Sequence, residues 1–312
     1  MTKSSHRTGL LLGVAAYFCW GLFPLYWPLL KPALPTEILA HRVVWSLVIC
    51  VVALALRRSL TSAWRMLKDR RTLGWLTLAS IALSLNWGIF IWAINSGHTV
   101  ESALGYYINP LVMIAAGVLL MGERMRRAQW IAVTFGAISV IVLSIDYGHP
   151  PYIALSLAFS WGLYGLVKKH LSLGALETLS IETLIMVIPA AGYIWLLSDR
   201  GTGQLGSSVH MTALLMTAGI VTAVPLLLFN GATSRIPLST IGLLQYLNPT
   251  MQFVIGILIR HEKMSEGRWI GFVLIWIALV LLSVDGYRTS RATGTNPDHS
   301  SGAIYDNIAE SH

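Results

Sequence analysis

Tyr107-Ile108-Asn109-Pro110 recurs as Tyr246-Leu247-Asn248-Pro249, 139 residues further along the chain. The offset then holds without a gap: Gly117 meets Gly256, Glu123 meets Glu262, Met125 meets Met264, Trp130 meets Trp269 and Asp146 meets Asp285. Both copies are apolar hairpins, and each closes a unit of five apolar segments. A unit with an odd number of membrane crossings leaves its second copy upside down relative to the first. Inverted repeats of that kind build secondary carriers, with a substrate site where the repeats meet.

The surrounding composition places those segments in lipid. The chain is 55% hydrophobic and 12% charged, with mean hydropathy +0.64, whereas a soluble domain carries roughly a quarter charged residues. Almost all of its 312 residues are therefore expected in the membrane, leaving no large soluble catalytic domain. A helix needs about 20 apolar residues to cross. Ten segments qualify: 9–30, 36–56, 73–95, 101–122, 128–145, 151–168, 175–198, 211–234, 236–259 and 268–284. The first follows Lys3 and Arg7, is longer than the apolar part of a leader and has no A-x-A site after it, so it reads as a retained helix. The expected fold is an all-α polytopic membrane protein of ten transmembrane helices. Two inverted five-helix repeats span 1–146 and 147–285, and a disordered cytoplasmic tail spans 286–312.

The repeat extends upstream with small gaps. Phe18-Cys19-Trp20-Gly21-Leu22 matches Phe159-Ser160-Trp161-Gly162-Leu163 at an offset of 141, and Glu37-Ile38-Leu39 matches Glu177-Thr178-Leu179 at 140. The net charge of +8 comes from basic residues in short loops, where they act as topology signals rather than a nucleic-acid surface. Sixteen Lys and Arg fall on one side and five on the other, which puts both termini in the cytoplasm. The loop between the ninth and tenth segments carries Arg260, Lys263 and Arg268 on the outer side, as a copy of the cytoplasmic Glu123-Arg124 loop would. Cys19 and Cys50 lie inside apolar runs as free thiols.

Ionisable groups within a bilayer face a protein interior or a wet cavity. Glu37 and His41 share one face of the second segment, with Arg42 rotated by about 100°. Arg42 lies roughly 9 Å from the outer end of its helix, so either burial or snorkelling fits it. Glu101 is its expected counter-ion. Glu182 aligns with Arg42 across the repeat, but opposite helix directions set the two on the order of 12 Å apart along the bilayer normal. Lys168 is the better partner for Glu182. Two polar clusters are thus expected, one near each mouth, acting either as gates or as structural pairs between packed helices. His41 is either a proton relay or a hydrogen-bonded packing residue.

Proline removes an N–H and clashes with the carbonyl four residues back, so the fourth and ninth helices should kink or unwind at the Asn-Pro sites. Asn109 and Asn248 can then bond freed backbone or a ligand. Tyr106, Tyr107, Gln245 and Tyr246 lie within a turn of them. Tyr17, Trp20, Asn86, Trp87 and Tyr164, with Trp161, complete the candidate cavity wall.

Taken together, several strings resemble the RarD-type EamA transporters of the drug/metabolite transporter superfamily. They are Ala16-Tyr17-Phe18-Cys19-Trp20-Gly21, Glu37-Ile38-Leu39-Ala40-His41-Arg42, Asn86-Trp87, Leu104-Gly105-Tyr106-Tyr107-Ile108-Asn109-Pro110-Leu111, Gly122-Glu123-Arg124, Gly219 to Leu227, and Gln245-Tyr246 with Asn248-Pro249-Thr250. The likeness runs over nearly the whole membrane region. It implies ten helices, two inverted repeats and a plasma-membrane carrier of small organic metabolites or drugs, acting as an exporter, with proton coupling as a further possibility. The expected partners are a small-molecule substrate and the lipid bilayer, with no nucleic acid, cofactor or metal. An intramembrane enzyme is the rival class, but G-x-S-x-G, H-E-x-x-H and the G-x-x-x-x-G-K-[ST] loop are absent from the sequence. A non-transporting membrane adaptor is the other alternative.

Overall fold

The computed structural model describes residues 3–121, 125–171 and 173–294. In chain order the helices are α1 (Lys3–Gly21), α2 (Phe23–Tyr26), α3 (Pro35–Leu56), α4 (Leu60–Lys68), α5 (Arg70–Asn95), α6 (Thr99–Met121), α7 (Arg127–Tyr147), α8 (Tyr152–Leu171), α9 (Ala175–Asp199), α10 (Val209–Thr233), α11 (Leu238–Leu244), α12 (Leu247–Leu258) and α13 (Glu266–Gly294). A 3₁₀ turn, Trp27–Leu30, follows α2. No strand occurs among the described residues.

Local chemistry sets the boundaries. Pro35 occupies the first turn of α3, where its fixed φ is pre-organised and its missing N–H costs nothing. Ser208 caps α10 by accepting from Met211 N at 3.0 Å, and Gly148 closes α7 at φ 73°, a left-handed position that glycine adopts freely. Within the long helices the apolar residues run all round, the pattern of a segment whose outer face meets lipid. Val209 is 90% exposed and Ile188 78%.

Eight helices among the described residues are long and apolar enough to cross a membrane, and Tyr152–Lys168 is a shorter apolar one. The protein is therefore a multi-pass membrane protein. The count of eight is below the ten expected. The shortfall involves the sixth segment, which is the shorter helix, and the fourth, whose helix α6 ends against residues 122–124, outside the described residues. The short α4, with exposed Trp64 and basic Arg65 and Lys68, was not anticipated, since nine residues leave little periodic signal. Helix α13 runs on to Gly294, so residues 286–294, expected in a disordered tail, are helical. The remainder of the expected tail, and Glu123 of the repeat, lie outside the described residues.

The two Asn-Pro sites behave differently. The chain breaks between α11 and α12 at Gln245-Tyr246, just before Asn248-Pro249, and Pro249 then sits in a first turn where no N–H is required. Helix α6 runs continuously through Pro110, so of the two outcomes expected at these sites, kinking or unwinding, the chain unwinds at the second site only.

Helix packing is symmetric in the offset. The pairs α7·α13, α3·α9 and α6·α12 join repeat-equivalent helices. The pairs α1·α10 and α8·α5, α3·α10 and α9·α5, and α1·α12 and α8·α6 each exchange when the halves are swapped. Equivalent helices run antiparallel. The start of α7 meets the later part of α13 through Arg126–Asp285, and the start of α13 meets the end of α7 through Arg268–Asp146 at 3.2 Å. Ser265, which stands 139 residues after Arg126, also donates to Asp146 at 2.7 Å. Glu262, just beyond α12, accepts from Thr99 N and Val100 N at the start of α6 (2.6 and 2.9 Å). Close approach requires small residues: a Cβ on Gly219 of α10 would lie 2.5 Å from the Trp45 carbonyl carbon of α3.

Candidate substrate cavity

A cavity of about 330 Å³ opens between the halves. Helical spacing builds its walls. Leu83, Asn86, Trp87 and Phe90 form one face of α5; Trp161, Tyr164, Gly165 and Lys168 form one face of α8; Thr222, Leu226 and Phe229 form one face of α10. Tyr17 and Trp20 of α1, Phe23 of α2, Arg42 of α3 and Leu179 of α9 line it as well. So do Tyr106 and Asn109 of α6, and Gln245, Asn248 and Gln252 around the α11–α12 break.

The lining follows the repeat. Trp20/Trp161 and Phe23/Tyr164 are related by 141 residues. Leu83/Thr222, Trp87/Leu226, Phe90/Phe229, Tyr106/Gln245 and Asn109/Asn248 are related by 139. Seven equivalent pairs thus face one hollow, which is the geometry expected where two related halves meet across an axis.

The amides hold the wall together. Asn86, fully buried, donates from Nδ2 to Leu157 O and Ser160 Oγ, both at 3.1 Å, and accepts from the Tyr106 hydroxyl at 3.2 Å. It ties α5, α6 and α8 into one wall. Asn109 Nδ2 donates to Ala158 O at 3.1 Å, a carbonyl of another helix rather than one freed by Pro110. Asn248 Oδ1 accepts from Gln252 Nε2 at 2.6 Å.

Tyr107 and Tyr246 are not in the cavity. Each follows a lining residue by one position, and about 100° of helical rotation turns it away. Tyr107 is buried with its hydroxyl 2.7 Å from Thr250 Oγ1 and its ring edge-on to Phe272 and Trp276; Tyr246 packs against the same α6–α7–α12–α13 core.

The charged groups distribute differently from expectation. Arg42, 3% exposed, has its guanidinium 3.7 Å from the Trp87 ring centroid, 5.1 Å from Trp27 and 5.5 Å from Phe23. Its Nε donates to Thr222 Oγ1 at 2.9 Å, while that hydroxyl gives its own proton to Ala218 O. Arg42 Nη1 has no partner, and snorkelling does not occur. Glu101 is not its counter-ion. It accepts from Ile153 N at 3.1 Å at the start of α8, where the N–H groups and helix dipole favour a carboxylate. Glu37 likewise accepts from Gln204 N at 2.6 Å. His41 is buried with both ring nitrogens unpartnered and does not border the cavity.

Lys168 does meet Glu182, at 3.1 Å, and Glu182 also accepts from the Tyr164 hydroxyl at 3.3 Å. Lys168 further bonds Thr178. Arg42 and Lys168 both line the one cavity, so the two expected polar clusters share a hollow. Desolvating a guanidinium costs several kcal/mol; stacking on aromatics returns about 2 kcal/mol and a hydroxyl acceptor about 1 kcal/mol. Arg42 is therefore incompletely compensated, whereas Lys168 has a carboxylate.

Residues the sequence did not single out include Phe23, Leu83, Phe90, Thr222, Phe229 and Gln252. The signal was available: most are repeat mates of one another, and Gln252 is one turn beyond Asn248. No group of three or more metal-ligating side chains occurs among the described residues.

Comparison with known proteins agrees with this architecture. The EamA-like transporter family matches residues 7–145 and 151–284. Protein RarD of Streptomyces exfoliatus is 51% identical over 290 residues, covering 93% of this chain and 92% of that one. Protein RarD of Escherichia coli (strain K12) is 39% identical over 294 residues (94% and 99%), and the uncharacterized transporter YojE of Bacillus subtilis (strain 168) is 40% identical over 296 (94% and 99%). A solved crystal structure superposes with a TM-score of 0.60 at 16% identity, covering 89% of this chain and 98% of that one, which speaks to the fold alone.

Proposed function

Because the chain belongs to the EamA-like transporter family, as a RarD-type member, we propose that it is a secondary carrier moving small organic metabolites or drugs by alternating access. The observation that carries this reading is the cavity of about 330 Å³ faced by repeat-equivalent residues of both halves. In this reading ten helices form two inverted five-helix repeats, 1–146 and 147–285. The antiparallel α7·α13, α3·α9 and α6·α12 pairs support it. Rocking of one half against the other exposes the hollow to each side in turn.

The basic-residue bias supports cytoplasmic termini in the plasma membrane, and the proposed direction is export. Tyr17, Trp20, Asn86, Trp87, Tyr106, Asn109, Tyr164, Gln245 and Asn248 contribute the substrate surface. Glu182 is the group assigned to proton coupling, because it is the carboxylate bonded to two cavity-lining side chains, Lys168 and Tyr164. It would hold Lys168 in one state and release it on protonation. Glu37 and Glu101, bound to backbone N–H groups, serve as structural clasps, and His41, away from the cavity, has no part in the relay.

The test is uptake into proteoliposomes of both orientations with a broad metabolite panel, with and without a pH gradient. Movement driven by the gradient and made gradient-independent by Glu182→Gln is expected. Transport by Glu182→Gln with native pH dependence would remove Glu182 from the scheme. Failure of every panel compound to move would count against the carrier reading itself.

A further inference from the structure

We propose that the cavity takes small organic monoanions, a carboxylate on an aromatic or apolar body, with Arg42 receiving the carboxylate. This rests on the carrier reading above and narrows it to a substrate class.

The charge inventory of the hollow leads there. Two cationic side chains line it, and one is already answered: Lys168 meets Glu182 at 3.1 Å. Arg42 has no carboxylate within ion-pair distance among the described residues. The acidic groups on surrounding elements are committed elsewhere. Glu37 on the same helix accepts from Gln204 N, Glu101 accepts from Ile153 N, and Glu182 is held by Lys168 and Tyr164. The cavity thus presents one uncompensated positive charge.

The stacking geometry prepares that charge for a planar acceptor. The guanidinium carbon lies 3.7 Å from the Trp87 ring centroid, a stacking distance, with the Trp27 and Phe23 rings at 5.1 and 5.5 Å. Stacking on a ring leaves a guanidinium's in-plane N–H groups for hydrogen bonding; Nε already donates to Thr222, and Nη1 is an unpartnered donor. A fork of N–H groups in a plane matches a carboxylate better than any neutral acceptor. The rest of the wall carries the aromatic rings Trp20, Trp161, Phe90 and Phe229 and a few neutral amides around the α11–α12 break. The volume lies at the low end of small-molecule sites, enough for one ring and a short acid chain.

The same inventory discriminates. An amino acid brings an ammonium group, and among the described residues no carboxylate lines the cavity to receive it; the acceptors left to it, such as Gln252 Oε1, are neutral. Arg42 repels an organic cation at short range in a medium of low dielectric. A single unanswered charge balances a monoanion and leaves a dianion in excess.

The test uses three compounds that differ only in charged groups: 3-phenylpropanoate (anion), phenylalanine (zwitterion) and phenethylamine (cation). Binding to the full-length protein in nanodiscs at pH 7 is read by the shift of the unfolding midpoint, and transport by counterflow in proteoliposomes. The anion is expected to bind at least about tenfold tighter than the other two. Arg42→Gln should reduce it to the level of phenylalanine, and Arg42→Lys should restore part of the difference. The series on the native protein decides the matter even where a variant fails to fold. Equal or tighter binding of phenylalanine or phenethylamine overturns the inference. So does anion binding that survives Arg42→Gln in a monodisperse, helical sample. If none of the three binds while other compounds of a broad panel move, the anion assignment falls and the carrier stands. If nothing in the panel moves, both fall.

Discussion

Arg42 and Lys168 line the same hollow, yet one is bare and the other is paired. Repeat positions make the contrast informative. Trp27 corresponds to Lys168 at an offset of 141, and Arg42 to Glu182 at 140. The first half holds a guanidinium over an indole ring, 5.1 Å away; the second half holds a carboxylate against an ammonium. The backbone frame is shared, but the charge at the frame's key positions is not. Duplicated architecture therefore supplies the shape of the cavity, and divergence between the copies supplies its polarity.

Stability separates the two halves most sharply. Lys168→Met strands Glu182, which is 1% exposed, and should lower unfolding stability by about 3 kcal/mol. Adding Glu182→Gln should recover most of the loss. Arg42→Met strands no partner charge and should lie within about 1 kcal/mol of the native protein, or above it. Thermal unfolding in detergent with a helicity readout measures all three. A loss for Arg42→Met as large as that for Lys168→Met would erase the distinction between them.

Gly219→Ala should cost about 2 kcal/mol, because its Cβ would meet Trp45 backbone atoms at 2.5 and 2.6 Å. It also draws Thr222 away from Arg42, so transport should fall further than stability does. Gly192→Ala has nothing within 4 Å and should be neutral or mildly stabilising. An equal effect of both substitutions in the same unfolding assay would mean that the α3–α10 contact does not set the cavity wall.

The ends of α7 and α13 test whether the halves are equivalent where they are exposed. Double-mutant cycles on Arg126–Asp285 and Arg268–Asp146 should each give about 0.5 kcal/mol, screened by salt. Unequal values would show that the asymmetry of the cavity extends to the rim.

The smallest effect lies outside both halves of the cavity. Asp69, capping α5, is held below the usual carboxylate range by the Thr72 hydroxyl and then by the Arg71 N–H. A carboxyl lowered in the folded state contributes stability above its unfolded pKa of about 3.9, lost as pH falls through the folded value. Asp69→Ala should therefore flatten only the acid limb of the stability profile, with no change in the charge preference of binding.

Much of this was legible along the chain. The offset located both Asn-Pro sites, and the match of Trp20 to Trp161 marked a pair that faces the hollow. Lys168 with Glu182 followed from helix direction and depth. The counter-ion of Arg42 did not follow. Depth places Glu101 at a plausible level, but depth carries no information about which backbone N–H groups compete for a carboxylate, and the α8 terminus wins. Tyr107 and Tyr246 were misplaced for a related reason. Adjacent aromatics are indistinguishable by composition, and one step of helical rotation decides which faces the cavity and which the core.

Hydrophobic runs, the internal offset and the placement of basic residues depend on local chemistry and on partition between water and lipid, so the sequence alone determined a helical membrane protein with a duplicated plan. Which charges are answered and which are left bare depends on distances between helices far apart in the chain. Only the packed structure decided that Arg42 is stacked and has no carboxylate, and that it borders the same space as Lys168.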